Sequence, residues 1–298
     1  MTSSFEPAKD TQGRTGERLR AEYLSVARSI ARAGMEFSVI NLSWYEDDPG
    51  LKEVVNLCQA SIVLRNSVES RAFPRDLGVA FPGLALFNSR LFPQKDQRIG
   101  NTRLATSRLG EGGAVLSRAK TALVSHTIGY ENGEFIDSAA DAMILIESGI
   151  KTQPLPNPIC RSPEGLSLND HLDRTAGLVE DSKGNLHLVV DPQYHSGTQS
   201  APISPAESAD EIRRRCEHLS IAVHTPRRLA VPFSVGVCQL PNGKILATSG
   251  DDVEELLAGI VGEDRVVTTD IPLECYPAFV FAGIHCLVTE LPRELCEH

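Results

Sequence analysis

Apolar residues along the chain follow two rhythms, one typical of helices and one typical of strands. Over residues 15–33 they recur at intervals of three and four, which predicts an amphipathic helix closed by Gly34. The same spacing predicts helices over 135–148, 205–216 and 251–261, and a further helix over roughly 51–59. Short apolar strands follow within a few residues, at 37–42, 61–64, 219–224 and 265–269.

Hairpin-like segments separate these helix–strand units. They cover 76–87, 112–124, 173–190 and 232–248, with clear turn signals at 181–185 and 240–243, and a last apolar segment covers 279–291. The result is a weak internal repeat of about five helix–strand–hairpin units, and the hairpins distinguish it from a plain βαβ fold. We therefore predict an α/β fold in which residues 14–298 form one domain after a disordered tail at 1–13.

Composition and charge narrow the class of protein. A chain of 298 residues can bury about three quarters of its unfolded surface, so its core needs neither disulfides nor a structural metal. Basic residues number 29 and acidic residues 39, a net charge of −10 that disfavours nucleic acid and weakly suits a cationic substrate. The seven cysteines are widely spaced without a CxxC pair, which argues against a disulfide framework or zinc ribbon. No apolar run resembles a signal peptide or membrane span, which predicts a cytoplasmic protein without membrane contact.

Four short motifs with reactive side chains lie at the start of, or inside, four of the five hairpin segments. They are Pro74-Arg75-Asp76, Gly110-Glu111-Gly112-Gly113, His171-Leu172-Asp173 and Gly283-Ile284-His285-Cys286. In a closed radial fold, equivalent positions of the repeats converge on the axis. The motifs therefore predict one shared site.

Each motif also has a plainer interpretation. Most single cysteines are buried and structural, so Cys286 alone is weak evidence for a nucleophile, and its neighbour His285 would point to the opposite strand face. His171 is the better base, because we expect it to share a strand face with Asp173, although a surface turn fits the same residues. His187, on the return strand of that hairpin, can be purely structural.

Glu111 and Asp76 are the remaining carboxylates of the set. Glu111 stands before two glycines, which suits a close approach to a ligand as well as a simple turn, and the GxGxxG spacing and lysine of phosphate loops are missing. Asp76 follows Arg75, and a surface ion pair is the alternative. Together, a thiol, a histidine and three carboxylates suit a planar cation with forked N–H donors, such as a guanidinium. The thiolate can attack its carbon while the histidine protonates the leaving amine.

The four motifs, in this order, resemble those of the guanidino-group-modifying superfamily, which includes arginine and agmatine deiminases, arginine dihydrolases, dimethylargininases and amidinotransferases. The matching stretches are "FPRDLGVAF", "LGEGGAVLS", "DHLDRTAGLVEDSKGNLHLVV" and "FAGIHCLVTELPRE", within a resemblance that covers about 37–293. It implies a five-bladed, pseudo-symmetric α/β propeller of repeated ββαβ units, formed by a single catalytic domain.

The resemblance also implies a role for each residue. The catalytic set is Cys286 as nucleophile, His171 as acid and base, and Glu111 as the carboxylate that holds the histidine. Asp76 and Asp173 bind the guanidinium, and neither a metal nor a cofactor is implied.

The expected activity is hydrolysis of arginine or a related small guanidine through a covalent amidino thioether on Cys286. The products are a ureido compound, or ornithine, together with ammonia. An amidinotransferase that passes the amidino group to an amine remains an alternative, as do a metallohydrolase and a non-catalytic propeller that binds a partner. The expected partner is the small guanidino substrate, and the sequence leaves a homo-oligomer open.

Overall fold

A computed structural model of the chain describes residues 16–35, 38–40, 62–65, 78–89, 96–131, 134–162, 165–168, 171–191, 195–197, 205–227, 235–249, 252–270, 284 and 288–290. Within these ranges, no helix is both long enough and apolar enough to cross a membrane. The helices are α1 (Gly16–Arg32), α2 (Ala139–Glu147), α3 (Pro205–His218) and α4 (Val253–Val261).

The strands are short. In chain order they are β1 (Ser38–Ile40), β2 (Ile62–Arg65), β3 (Gly78–Phe81), β4 (Leu84–Asn88), β5 (Asp96–Ile99), β6 (Thr102–Ser107), β7 (Val115–Arg118), β8 (Thr121–Ser125), β9 (Thr127–Glu131), β10 (Glu134–Asp137), β11 (Lys151–Leu155), β12 (Asn157–Ser162), β13 (Gly165–Leu168), β14 (Ala176–Glu180), β15 (Leu186–Val190), β16 (His195–Gly197), β17 (Ile221–His224), β18 (Val237–Gln239), β19 (Ile245–Ala247), β20 (Val266–Thr268) and β21 (Val288–Glu290).

Five sheets in the described part of the chain share one arrangement. A central strand pairs antiparallel with one neighbour and parallel with the other. The sets are β3-β4-β6, β7-β8-β11, β14-β15-β17, β18-β19-β20 and β21-β2-β1. The helix–strand–hairpin repeat predicted from the sequence therefore corresponds to a sheet topology that these five sheets share, and the protein is a mixed α/β protein with small sheets.

The four helices confirm four of the five predicted helices, and the fifth, at 51–59, lies outside the described residues. Gly34 ends α1 with a φ of +74°, as its position after the last apolar residue predicts. The prediction over 135–148 is wrong at its start. Phe135 pairs with Tyr130 in the β9–β10 hairpin, and the helix begins only at Ala139. Strand pairing with a neighbour overrides local helical spacing there.

The hairpins also form where turn signals occur. In the 181–185 turn, the Asp181 carboxylate accepts hydrogen bonds from the backbone N–H groups of Lys183 and Asn185, 2.8 Å each, and from the Asn185 side chain. These bonds, above all those from Asn185, hold the pKa of Asp181 well below its ordinary value. Such a turn depends on neighbouring residues alone, which is why the sequence predicts it.

The sheets contact one another in chain order through the first strands of their hairpins. β3 contacts β7, β7 contacts β14, and β14 contacts β18. β21 contacts β3, and α1 contacts β20. At the β14–β18 contact, a Cβ added to Gly177 would lie 2.6 Å from the Cβ of Val237, so only glycine allows this spacing. The first strands β21, β3, β7, β14 and β18 are therefore successive neighbours in the fold.

Candidate active site

Glu111 stands at the end of a single 3₁₀ turn, Arg108–Glu111, called here the Glu111 turn. The turn connects β6 to the approach of β7. Ser107 caps it, because its Oγ accepts a hydrogen bond from the N–H of Leu109 at 3.1 Å. Leu109 is fully buried, and a Cβ on Gly110 would lie 2.2 Å from the carbonyl of Phe87. The turn is thus pressed against β4, and its position is fixed by the backbone.

His171 and Asp173 enter the site from the next hairpin. The residues Leu172–Arg174 form a second 3₁₀ turn, and β14 begins only at Ala176. The expectation that His171 and Asp173 share a strand face is therefore wrong, because a turn occupies this position. Both residues are buried, and the N–H of Asp173 donates to the carbonyl of Gly113 at 3.2 Å. This backbone bond joins the two loops.

The structure brings Glu111 and His171 into direct contact. Oε1 of Glu111 lies 2.7 Å from Nε2 of His171, although the two residues are 60 positions apart in the chain. Only 16% of the Glu111 side chain and 11% of the His171 side chain are exposed. An ionised carboxylate only accepts hydrogen bonds, so Nε2 carries the proton and Nδ1 is the ring nitrogen turned away from Glu111. The pair can orient a histidine and stabilise its positive charge, as an acid–base catalyst requires.

The two glycines after Glu111 serve this contact in different ways. Gly112 has a φ of +74° where the chain leaves the turn, a conformation that other residues rarely adopt. Gly113 has an ordinary backbone, but a Cβ there would lie 2.8 Å from Cγ of His171 and 3.0 Å from Nδ1. The close approach that the sequence predicts for these glycines is therefore an approach to the histidine ring.

Replacing Gly113 by alanine is expected to lower kcat about 10- to 100-fold, because the added methyl group pushes the His171 ring off its bond to Glu111. Gly259→Ala is the matched control, since a Cβ there meets no atom within 4 Å. Steady-state kinetics of both variants on a guanidino substrate checks this. A Gly113→Ala enzyme with the activity of Gly259→Ala would contradict the assigned contact.

Asp76 and Cys286 lie outside the described residues, so the structure does not report their side chains. Their places in the chain are nevertheless informative. Asp76 comes two residues before β3, and Cys286 comes two residues before β21. Ile284, which the structure does describe, is fully buried. Both predicted residues thus precede strands that contact one another, as do Glu111 and His171.

His187 takes no part in this pair. It pairs with Val179 in the β14–β15 hairpin, whereas the strand end next to His171 pairs Ala176 with Val190. Nδ1 of His187 lies 3.0 Å from Nε2 of His224, and Nε2 lies 3.5 Å from the Asp181 carboxylate. Burial, followed by the nearby His187, lowers the pKa of His224. The purely structural interpretation of His187 agrees with these contacts.

Ser107 and Asp141 hold the Glu111 turn, although neither residue is predicted from the sequence. Asp141 lies in the first turn of α2, and its Oδ1 accepts hydrogen bonds from the Ser107 hydroxyl and from the N–H of Arg108, the latter at 2.9 Å. The only local signal is Ser138-x-x-Asp141, which resembles a capping box at the start of a helix. That signal indicates the wrong partner for Asp141. A capping box would pair it with Ser138 of its own helix, whereas its carboxylate binds Ser107 and Arg108.

No family model matches the chain, and no curated protein matches it. Agmatine deiminase from C. jejuni is similar in structure, with 13% identity, a TM-score of 0.48 and coverage of 93% of this chain and 92% of that chain. DDAH from Pseudomonas aeruginosa, complexed with citrulline, has 12% identity and a TM-score of 0.42, with 74% and 75% of the two chains covered.

The N-terminal domain of ArgZ, covalently bound to a reaction intermediate, is also similar. It has 12% identity and a TM-score of 0.32, and 56% of this chain and 57% of that chain are covered. Agmatine deiminases are among the enzymes that the four sequence motifs resemble.

Proposed function

We propose that this protein is a cysteine-dependent hydrolase of a small guanidino compound such as arginine. The observation that carries the proposal is the 2.7 Å contact between Glu111 and His171. The resemblance assigns a carboxylate that holds a histidine to these two positions, and the geometry supports that pairing. The backbone N–H of Asp173 binds Gly113 of the Glu111 loop, and Asp173 is 2% exposed, in keeping with the role of a guanidinium ligand beside Asp76.

The first half of the reaction is transfer of the amidino group to the protein. The Cys286 thiolate attacks the guanidinium carbon and forms a C–S bond. The C–N bond to the leaving group then breaks, and His171 donates its proton to the departing ammonia or amine. A covalent amidino thioether remains on Cys286. Because Nε2 of His171 faces Glu111, Nδ1 is the nitrogen that exchanges this proton.

The second half returns the enzyme to its starting state. His171 removes a proton from water, and the hydroxide attacks the amidino carbon. The C–S bond breaks, the thiolate of Cys286 leaves, and a ureido product is released. The same histidine thus acts first as an acid and then as a base, and Glu111 stabilises the imidazolium form in which His171 begins and ends the cycle.

We also propose that the five sheets close around one axis as a five-bladed propeller. The contacts β21–β3, β3–β7, β7–β14 and β14–β18 support this order, and the α1–β20 contact supports closure. All four motifs precede a first strand of a unit by two to five residues. In this arrangement Asp76, Cys286 and the Glu111–His171 pair meet at one end of the axis.

Product analysis tests the proposed function. The protein is incubated with arginine, agmatine and methylated arginines, and mass spectrometry follows the ureido product together with released ammonia. We expect ammonia and citrulline from arginine if it is the substrate; ornithine with two ammonia would indicate a dihydrolase. Transfer to added glycine instead of water would indicate an amidinotransferase. No product from any of these compounds would contradict the proposal.

Two controls separate the remaining alternatives. Activity that survives a strong chelator excludes a metallohydrolase, whereas loss of activity and its recovery with added metal would contradict the thiol mechanism.

A haloamidine should label Cys286, and arginine should protect it. Cys216 should not react, because it is fully buried and burial raises the pKa of its thiol to about 12. An unlabelled Cys286 would favour a binding protein.

A further inference from the structure

We propose that Asp141 is a positioning residue for the Glu111–His171 pair. Its carboxylate holds the Glu111 turn from the neighbouring helix and so sets the bond between Glu111 and His171. The kinetic part of this inference rests on the proposed function, whereas its structural part concerns the protein alone.

The contacts of one carboxylate oxygen carry the argument. Oδ1 of Asp141 accepts a hydrogen bond from the Ser107 hydroxyl and another from the N–H of Arg108, the first residue of the turn. The Ser107 oxygen in turn accepts from the N–H of Leu109. The first N–H groups of a helical turn have no acceptor within the turn itself. Here Asp141 binds the N–H of Arg108 directly, and it supports the bond to Leu109 through Ser107. The bonds form a chain in which each strengthens the next.

Asp141 does not have the role that its sequence position suggests. In a capping box, it would accept a bond from the backbone N–H of Ser138. That N–H donates instead to the carbonyl of His126, and the Ser138 side chain makes no capping bond. The carboxylate of Asp141 is thus directed away from its own helix and towards the Glu111 turn.

The helix that carries Asp141 is a firm support. Ala142 and Leu145 of α2 are buried in the same core cluster as Leu109 of the turn. On its other side, the turn meets β4 through the close contact of Gly110 with Phe87. The turn is therefore clamped between β4 and α2, and Asp141 provides the polar half of the clamp. Without the Asp141 carboxylate, the end of the turn that carries Glu111 can shift relative to His171.

The first test is a double-mutant cycle with Glu111→Gln. Asp141→Ala is expected to lower kcat about 10-fold or more in the wild-type background, with KM within about threefold, because Asp141 is assigned no contact with substrate. In the Glu111→Gln background the same change should cost less than about threefold, since the contact through which it acts is already lost. Equal losses in both backgrounds would overturn the proposal.

A conservative variant and a matched control complete the kinetic test. Asp141→Asn keeps an oxygen that can accept both hydrogen bonds, so it should retain at least about a third of wild-type kcat. Glu147→Gln, on the same helix with a side chain that is 57% exposed, should match the wild type. An Asn variant as impaired as the Ala variant would overturn the proposal. If Asp141→Ala does not fold, Ser107→Ala takes its place in the cycle with the same criterion.

A readout without substrate separates this inference from the proposed function. Nitrogen-15 NMR of the imidazole groups reports the hydrogen bond at Nε2 of His171 in the unliganded protein. The signal of the bonded Nε2–H should be lost in Glu111→Gln, weakened or shifted in Asp141→Ala, and retained in Asp141→Asn. An unchanged signal in Asp141→Ala would overturn the proposal, even in a protein that proves to have no guanidine hydrolase activity.

Discussion

Replacing Cys286 by serine is expected to lower kcat on the preferred guanidino substrate at least about 1,000-fold, or about 4 kcal/mol of activation free energy. A serine hydroxyl is ionised far less readily than a thiol at neutral pH, so the attack on the guanidinium carbon loses its nucleophile. The exchange of sulfur for oxygen changes the side-chain volume little, and the fold should be kept.

Steady-state kinetics and intact-protein mass spectrometry together measure this effect. The wild-type enzyme, quenched during turnover, should show the added mass of the amidino adduct, whereas Cys286→Ser should show none. Cys216→Ala is a suitable control, because Cys216 of α3 is fully buried in a core cluster with Ile212 and Leu188 and should be unnecessary for the chemistry. A Cys286→Ser enzyme that keeps a tenth of the activity would exclude Cys286 as the nucleophile.

Replacing Glu111 by glutamine is expected to lower kcat about 100-fold or more, with little change in KM. The amide has the same size as the carboxylate, but it lacks the negative charge that stabilises the imidazolium of His171 across a 2.7 Å contact. The amide can also turn its NH₂ group towards the ring, which would favour the wrong tautomer.

Glu147→Gln provides the matched control for this variant, because it makes the same chemical change at an exposed site on α2. Thermal unfolding of the two variants shows whether any loss of activity reflects loss of structure. A Glu111→Gln enzyme with wild-type kcat would show that the histidine is held in another way, and it would remove the observation that carries the proposed function.

The elements that the sequence predicts well are those that depend on neighbouring residues. Helix α1 with its Gly34 end and the 181–185 turn result from local spacing, backbone freedom and short-range hydrogen bonds. The β9–β10 hairpin was not predicted, and it replaces the first residues of a predicted helix. Its strands are stabilised by pairing, which the spacing of apolar residues in one segment does not reveal.

In the candidate site, too, the sequence predicts the reactive residues better than their arrangement. Glu111, His171 and Asp173 could be singled out from residue type and motif order. The structure brings Glu111 and His171 together, and the backbone N–H of Asp173 binds the carbonyl of Gly113. Asp76 and Cys286 remain predictions. The prediction that His171 and Asp173 lie along one strand is wrong, because a 3₁₀ turn precedes β14.

Residues close together in the chain set the alternation of helices, strands and hairpins and the kinds of reactive group that enter each unit, so these features can be predicted from the amino-acid sequence. Which groups touch depends on tertiary packing. Glu111 meets His171 across 60 residues, and Asp141 meets Ser107 across 34. Such contacts result from how separate units pack, with Gly110 and Gly113 allowing the close approach, and no local pattern encodes them.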